Sequence, residues 1–158
     1  MYKIAICDDE RFVIEHTHCL IKEFFDSQKQ LNCGYEITCY TDSGKLMNSG
    51  EKFDIAFLDV KMEPYSGIEL GYALSAKNPE IVLFILTSFG DYLDDAMDLK
   101  AFRFFEKPLN KKRLYRALDS VVQNEVIIEF IMDHLHSEIC SRDIVCVYSS
   151  QRKTHITT

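Results

Sequence analysis

The 158-residue sequence lacks long apolar runs, closely paired cysteines and an excess of basic residues. No apolar run approaches the ~18 residues expected of a membrane-spanning helix. The chain does not open with a basic region and apolar stretch of signal-peptide type. Its formal net charge of −7 argues against general affinity for nucleic acid. We therefore expect a cytoplasmic protein without membrane contact.

The cysteines do not form C-x-x-C pairs, although six are present. Cys7 and Cys39 fall within predicted strands and Cys19 within a predicted helix, so we expect all three to be small buried residues. A reducing compartment suits this pattern.

The apolar content, 47% of residues, is typical of a globular protein. Five short, nearly continuous apolar runs alternate with helix-like segments. Such runs suit strands buried on both faces, and the alternation predicts a parallel sheet with helices on both sides. Right-handed crossovers leave a few doubly wound strand orders. The predicted strands cover 2–7, 35–40, 53–58, 81–86 and 102–105, and the predicted helices about 11–29, the surroundings of Leu46, 67–77, 92–99 and 110–122.

The character of the chain changes near residue 124. The segments 126–132 and 143–150 look like strands, and no helix separates them. We therefore predict one α/β domain over residues 1–122 and a short β-rich segment over residues 123–158.

Polar residues follow the predicted strands where each one ends. Asp8 and Asp9 follow the first strand, Asp59 the third, Thr87 the fourth and Lys107 the fifth. Because polar residues at the carboxyl ends of parallel strands converge on one crevice, we expect these five to form a single site.

The predicted site suits phosphoryl transfer. Three carboxylates in one cleft repel each other, and a hard divalent cation such as Mg²⁺ relieves that repulsion. Asp59 can serve as a nucleophile, because carboxylates form aspartyl-phosphates. Lys107 would bring positive charge to the phosphoryl oxygens, and the Thr87 hydroxyl would donate a hydrogen bond.

These residues, in this order, resemble the receiver domain of bacterial response regulators over about residues 1–122. The resemblance implies a flavodoxin-like sheet of order 2-1-3-4-5. It also implies that Asp59 accepts a phosphoryl group from a sensor histidine kinase and that Thr87 and Lys107 respond to it. Phe104 occupies the position of the family's switching aromatic. Such a domain is not an enzyme in the usual sense, since only its own phosphorylation and dephosphorylation are expected.

The resemblance also implies a magnesium site. Its ligands would be Asp9, Asp59 and the backbone carbonyl of Lys61, with Asp8 assisting. The loop after Asp59 departs from the family, because Glu63-Pro64 stands where many relatives have a Pro-Gly pair. Lys61 also places a cation beside the site, at a position that influences the phosphoryl lifetime in the family.

The tail is similar to the early strands of the LytTR-type DNA-binding domain over about residues 125–158. A complete domain of that kind is much longer, so the chain is either part of a longer regulator or naturally short. The resemblance implies a transcriptional output for a full-length parent. Specific DNA binding is not expected of this chain, because an incomplete sheet offers few phosphate contacts.

Three other functions fit the sequence less well. A phosphatase of the haloacid dehalogenase type needs Asp-x-Asp after the first strand, whereas this strand ends in Cys7-Asp8-Asp9-Glu10. A DNA-binding transcription factor fits the parent protein better than this acidic chain. A receiver-like interaction module that works without phosphorylation is disfavoured by the intact set of site residues.

A homodimer is a further expectation from charge. The acidic residues of 91–98 and the basic residues of 111–116 flank the fifth predicted strand. Opposite charges on neighbouring elements suit a two-fold, self-complementary contact.

Overall fold

The computed structural model describes residues 1–28, 34–88, 101 and 103–122 with their side chains. For the tail it describes the backbone of 127–132, 135–140, 146–150 and 153–157. The chain divides into two compact units, Met1–Ala117 and Leu118–Thr158.

The first unit is built around a five-stranded parallel sheet of order β2-β1-β3-β4-β5. This order confirms the predicted flavodoxin-like fold. The strands are β1 (Tyr2–Cys7), β2 (Tyr35–Tyr40), β3 (Ile55–Asp59), β4 (Val82–Thr87) and β5 (Arg103–Glu106). The helices are α1 (Arg11–Ser27), α2 (Ser43–Asn48), α3 (Gly67–Lys77) and α4 (Lys111–Val122), of which α4 continues into the second unit. The helix predicted at 92–99 lies outside the described residues.

The sheet core has two faces because side chains alternate along each strand. On one face, small and branched residues of β1, β3 and β4 pack with Leu46 of α2 and Leu70 and Leu74 of α3. On the other face, the ring centroids of Phe57 and Phe84 lie 4.6 Å apart. Burying each large side chain contributes about 1.5–3 kcal/mol, so this double-sided core fixes the ends of the central strands.

The start of α3 is set by a capping box. The Ser66 Oγ accepts a hydrogen bond from the Glu69 backbone N–H at 3.2 Å, and the Glu69 carboxylate accepts one from the Ser66 N–H at 2.8 Å. The helix ends before Asn78, which its Asn78-Pro79 sequence predicts. The predicted bounds, 67–77, are those observed.

The expected burial of cysteines is right for one residue and wrong for two. Cys7 is buried, whereas Cys19 and Cys39 are exposed. Cys39 lies in β2, at the edge of the sheet, where packing covers the strand only partly. Cys19 lies among the exposed positions of α1, whose buried residues fall on another stripe.

The second unit contains two antiparallel strand pairs. β6 (Ile127–Met132) pairs with β7 (Leu135–Cys140), and β8 (Cys146–Ser150) pairs with β9 (Lys153–Thr157). The strands β6 and β8 fall within the segments 126–132 and 143–150 that the sequence predicts as strands. The domain bounds 1–122 and 123–158 stay a prediction. Within the described residues, no helix is both long enough and apolar enough to cross a membrane.

Candidate phosphoacceptor site

The carboxyl ends of four strands bring the predicted site residues to one edge of the sheet. Asp59 is the last residue of β3 and Thr87 the last of β4, while Asp8 and Lys107 directly follow β1 and β5. A cavity of about 300 Å³ opens there. Its lining residues are Asp9, Glu10, Asp59, Val60, Lys61, Thr87, Ser88 and Lys107.

Lys107 connects the carboxylates. Its Nζ lies 2.7 Å from Asp8 Oδ2 and 2.8 Å from Asp59 Oδ1. The Asp8 side chain is 0% exposed and that of Lys107 is 9% exposed, so solvent screens these contacts little. One ammonium cannot neutralise two carboxylates, so the buried cluster of Asp8, Asp59 and Lys107 keeps a net negative charge.

Burial and the ion pairs together shift the pKa values of these three groups. Burial raises the pKa of Asp8 and of Asp59 above the ordinary value, although the hydrogen bonds from Lys107 act in the opposite direction. Burial alone would lower the pKa of Lys107, but its bonds to both aspartates outweigh that effect and raise it. A further cation would stabilise the ionised form of both carboxylates.

The two residues of the acidic pair differ in surroundings. Asp8 Oδ1 accepts a hydrogen bond from the Glu10 N–H at 3.0 Å, and Asp8 Oδ2 faces Lys107, so both of its oxygens are engaged. Asp9 is exposed and lines the cavity. Asp9 therefore offers its carboxylate to a ligand more readily than Asp8 does.

The donor set suits a hard cation. Oxygen atoms of Asp8, Asp9 and Glu10 lie within 4.8 Å of one another, and carboxylate oxygens are the ligands that Mg²⁺ prefers. Asp59 is linked to this group through Lys107, whose Nζ contacts both Asp59 and Asp8. Lys61 is exposed and lines the same cavity. The sequence pattern alone predicted no role for Glu10. Its position directly after the acidic pair was the available signal.

Thr87 and Phe104 lie on neighbouring strands next to the site. The Thr87 carbonyl accepts a hydrogen bond from the Lys107 N–H at 2.8 Å. Phe104 is half-buried, lies opposite Ile85 in the β4–β5 pairing and packs against the core. Their response to a phosphoryl group stays a prediction.

Gly67 allows α3 to start directly against the end of β3. A Cβ built on Gly67 would overlap the Asp59 carbonyl oxygen and lie 2.8 Å from its carbon. We expect Gly67→Ala to lower the free energy of unfolding by about 1–3 kcal/mol, since backbone must shift to admit the methyl group. Urea unfolding measures the loss.

Gly34→Ala is the matched control for Gly67→Ala. The nearest atom to a Cβ at Gly34 is Met1 Cγ, at an ordinary 3.7 Å. This variant should be as stable as the wild type or up to about 1 kcal/mol more stable. Equal stability of the two variants would contradict the close approach at Gly67.

Comparison with known proteins shows the family. The model of the response regulator receiver domain matches residues 4–119. The chain therefore belongs to the response regulator receiver family, whose domains serve in signalling.

Among the curated relatives, BtsR and YesN are described as transcriptional regulatory proteins. BtsR of Escherichia coli K12 is 26% identical over 173 aligned positions, covering 100% of this chain and 70% of BtsR. The uncharacterised regulator YesN of Bacillus subtilis is 26% identical over 132 residues, covering 77% of this chain. The chain spans only 33% of YesN and 49% of BtsR from Salmonella typhi.

Solved structures show the same fold at low sequence identity. The receiver domain of DrrB, activated with BeF3, is 21% identical with a TM-score of 0.67, covering 78% of this chain and 98% of that domain. A CheY-like receiver domain from Methanospirillum hungatei is 21% identical with a TM-score of 0.63, covering 78% of this chain and 95% of that one.

Proposed function

We propose that this chain is the receiver part of a two-component response regulator and that Asp59 accepts a phosphoryl group from a sensor histidine kinase. The observation that carries the proposal is the buried ammonium of Lys107 held between Asp8 and Asp59. This contact joins the nucleophile to a cation that can bind phosphoryl oxygens. Intact mass after incubation with acetyl phosphate, with and without Mg²⁺, tests it.

The transfer exchanges one bond for another at phosphorus. An Asp59 carboxylate oxygen forms the new bond to phosphorus while the bond from phosphorus to the donor atom breaks. The electron pair of the broken bond stays with the leaving group. That group is acetate when the donor is acetyl phosphate. When the donor is phosphohistidine, it is the histidine imidazole, which takes up one proton. Lys107 then exchanges its contact with Asp59 Oδ1 for a phosphoryl oxygen, and the Thr87 hydroxyl donates to another.

Asp9, Asp59 and the backbone carbonyl of Lys61 would hold the magnesium ion, with Asp8 assisting. When bound, Mg²⁺ would neutralise charge on the carboxylates and on the entering phosphoryl group. The raised pKa values of Asp8 and Asp59, caused first by burial, support this assignment, because a bound cation would stabilise the ionised forms that burial disfavours.

Asp9→Ala should weaken Mg²⁺ binding more than Asp8→Ala. Asp9 is exposed at the cavity, whereas both oxygens of Asp8 are already engaged by Lys107 and by the Glu10 N–H. Isothermal calorimetry of both variants measures the difference, with Asp26→Ala on the exposed part of α1 as the control. Equal losses would mean that the two carboxylates share the metal.

The proposed output is transcription in a longer parent protein. The description of BtsR and YesN as transcriptional regulatory proteins supports it. The resemblance of the tail sequence to a LytTR-type domain implies the same output. DNA would be bound only through a complete C-terminal domain. The proposed compartment is the cytoplasm.

The switch and the dimer are parts of the same proposal. Thr87 and Phe104 would change position when Asp59 is phosphorylated, and the receiver would pair through β5 and its neighbours. Lys111 and Arg113 of the basic stretch are exposed, which supports such a contact. The acidic stretch 91–98 lies outside the described residues.

A phosphorylation-independent interaction module is the second candidate. A cleft retained only for shape would not need a lysine bound to the nucleophile, so the Lys107–Asp59 ion pair favours the phosphoacceptor. A hydrolase is disfavoured because the buried nucleophile lies at the end of β3 and not directly after β1.

A further inference from the structure

Glu10 is a carboxylate at the rim of the site. Its side chain is 64% exposed, and its Oε1 lies 3.8 Å from Lys107 Nζ. It lines the same cavity as Asp59 and Thr87. The metal set drawn from the family resemblance includes Asp8 and Asp9 but does not include Glu10.

The backbone of Glu10 has a structural role that its carboxylate does not share. Glu10 is the N-cap of α1, and its carbonyl accepts hydrogen bonds from the N–H groups of Val13 and Ile14 at 3.0 and 3.2 Å. The Glu10 N–H donates to Asp8. Its side chain makes no capping hydrogen bond. Helix capping therefore explains the position of the residue but not its charge.

The charge of Glu10 adds to an already acidic site. Its carboxylate oxygen lies within 4.8 Å of those of Asp8 and Asp9, and it shares with Asp59 the ammonium of Lys107. A further negative charge there attracts a divalent cation and repels a small anion that approaches Asp59. Because Glu10 is largely exposed, salt in the solvent weakens both effects.

We propose that Glu10 is a specificity-determining residue that discriminates phosphodonors by their charge. It strengthens cation binding and disfavours small dianionic donors relative to less negative ones. The inference rests on the proposed function of Asp59 as phosphoacceptor. It assigns to this chain a selectivity against free acyl phosphates.

The test compares the wild type with Glu10→Gln, which removes the charge and keeps the size. The rate of phosphoryl uptake is followed by intact mass at saturating Mg²⁺, with acetyl phosphate as a dianionic donor and phosphoramidate as a less negative one. In the acetyl phosphate reaction, acetate leaves with the electron pair of the broken bond. We expect the variant to react about threefold faster with acetyl phosphate at low salt. The gain should be smaller with phosphoramidate and should shrink at high salt.

Two variants control for charge and for position. Glu10→Asp keeps the charge and should keep the donor preference of the wild type. Glu106→Gln removes an exposed carboxylate that neighbours Lys107 in the chain but is not among the three within 4.0 Å of its Nζ in the described residues. It should react like the wild type. Urea unfolding confirms that each variant is folded.

Magnesium affinity gives a readout that does not depend on phosphoryl transfer. In calorimetry without a donor, Glu10→Gln should bind Mg²⁺ a few-fold more weakly than the wild type, and added salt should reduce the difference. An unchanged affinity and unchanged rates would overturn the role of Glu10 while leaving that of Asp59 intact. Slower reaction with both donors, insensitive to salt, would also overturn it and make Glu10 a positioning residue for Lys107. Failure of the wild type to take up a phosphoryl group would overturn both proposals.

Discussion

Asp59→Asn is expected to abolish uptake of a phosphoryl group from acetyl phosphate. The amide has nearly the shape of the carboxylate but lacks its nucleophilic charge, and the buried position of Asp59 leaves little room for another group to replace it. In the wild type, intact mass should rise by one phosphoryl group in the presence of Mg²⁺ and stay unchanged in excess chelator.

Asp26→Asn is the control for the loss at Asp59. Asp26 is an exposed carboxylate of α1 that pairs with Lys22 at 2.9 Å. The same chemical change at this position should leave uptake intact. Modification that persists in Asp59→Asn, or in chelator, would assign the phosphoacceptor to another residue.

Lys107→Ala should cause the largest change in stability among these variants. Without Mg²⁺, it leaves Asp8 and Asp59 buried without their common counter-ion. Breaking a buried pair by removing one partner costs about 3–5 kcal/mol. Urea unfolding at neutral pH measures the loss, and added Mg²⁺ should recover part of it.

The loss in Lys107→Ala should depend on pH. The folded-state pKa values of Asp8 and Asp59 lie above their ordinary value of 3.8, so the folded chain binds protons more tightly than the unfolded chain. The stability contributed by these groups is complete below the unfolded pKa and is lost as pH rises through the folded pKa values. Removing Lys107 should raise the folded-state pKa values of Asp8 and Asp59 further. The pH range over which their stabilising contribution disappears then extends to higher pH. The difference from the wild type should therefore grow from acid to neutral pH.

Two controls separate charge from packing and from exposure. Lys107→Met keeps an apolar stem and should be nearly as destabilised as Lys107→Ala if charge is the cause. Lys111→Ala removes an exposed lysine that pairs with Glu23, and it should cost at most about 1 kcal/mol. Similar losses of unfolding free energy in the Lys107 and Lys111 variants would contradict a role for Lys107 as the buried counter-ion. A difference between Lys107→Ala and the wild type that does not vary with pH would contradict it too.

Lys107→Ala should also separate phosphorylation from the response to it. Asp59 keeps its carboxylate, so part of the uptake should remain, while the contact between a phosphoryl group and β5 is lost. Spectra with and without beryllofluoride measure the response. A shift at Thr87 and Phe104 as large as in the wild type would contradict this role.

The sheet order and the meeting of the site residues were predictable because both depend on backbone pattern. Apolar runs mark strands, and parallel strands carry their following residues to one edge, which places Asp8, Asp59 and Lys107 together whatever their side-chain conformations. The bounds of α3 were predictable for a local reason, since Asn78-Pro79 ends the helix where it stands.

The side-chain contacts within the site were not predictable from the pattern. That Lys107 binds Asp8 as well as Asp59 depends on rotamers and on burial, which arise from packing of the whole sheet. The position of the Glu10 carboxylate beside Lys107 likewise depends on how α1 begins. Exposure of Cys39 follows from the place of β2 at the sheet edge, which strand-like sequence alone does not reveal.

The hydrogen bond from the Lys107 N–H to the Thr87 carbonyl has a mechanical consequence. It ties the main chain at the end of β4 to the main chain just after β5, so the two residues proposed to contact a phosphoryl group are linked through their backbones. A displacement of Lys107 would be transmitted to Thr87 through this backbone hydrogen bond. Phe104 lies opposite Ile85 on the same pair of strands. Displacement at the site would therefore be carried down the β4–β5 edge as a movement of paired strands.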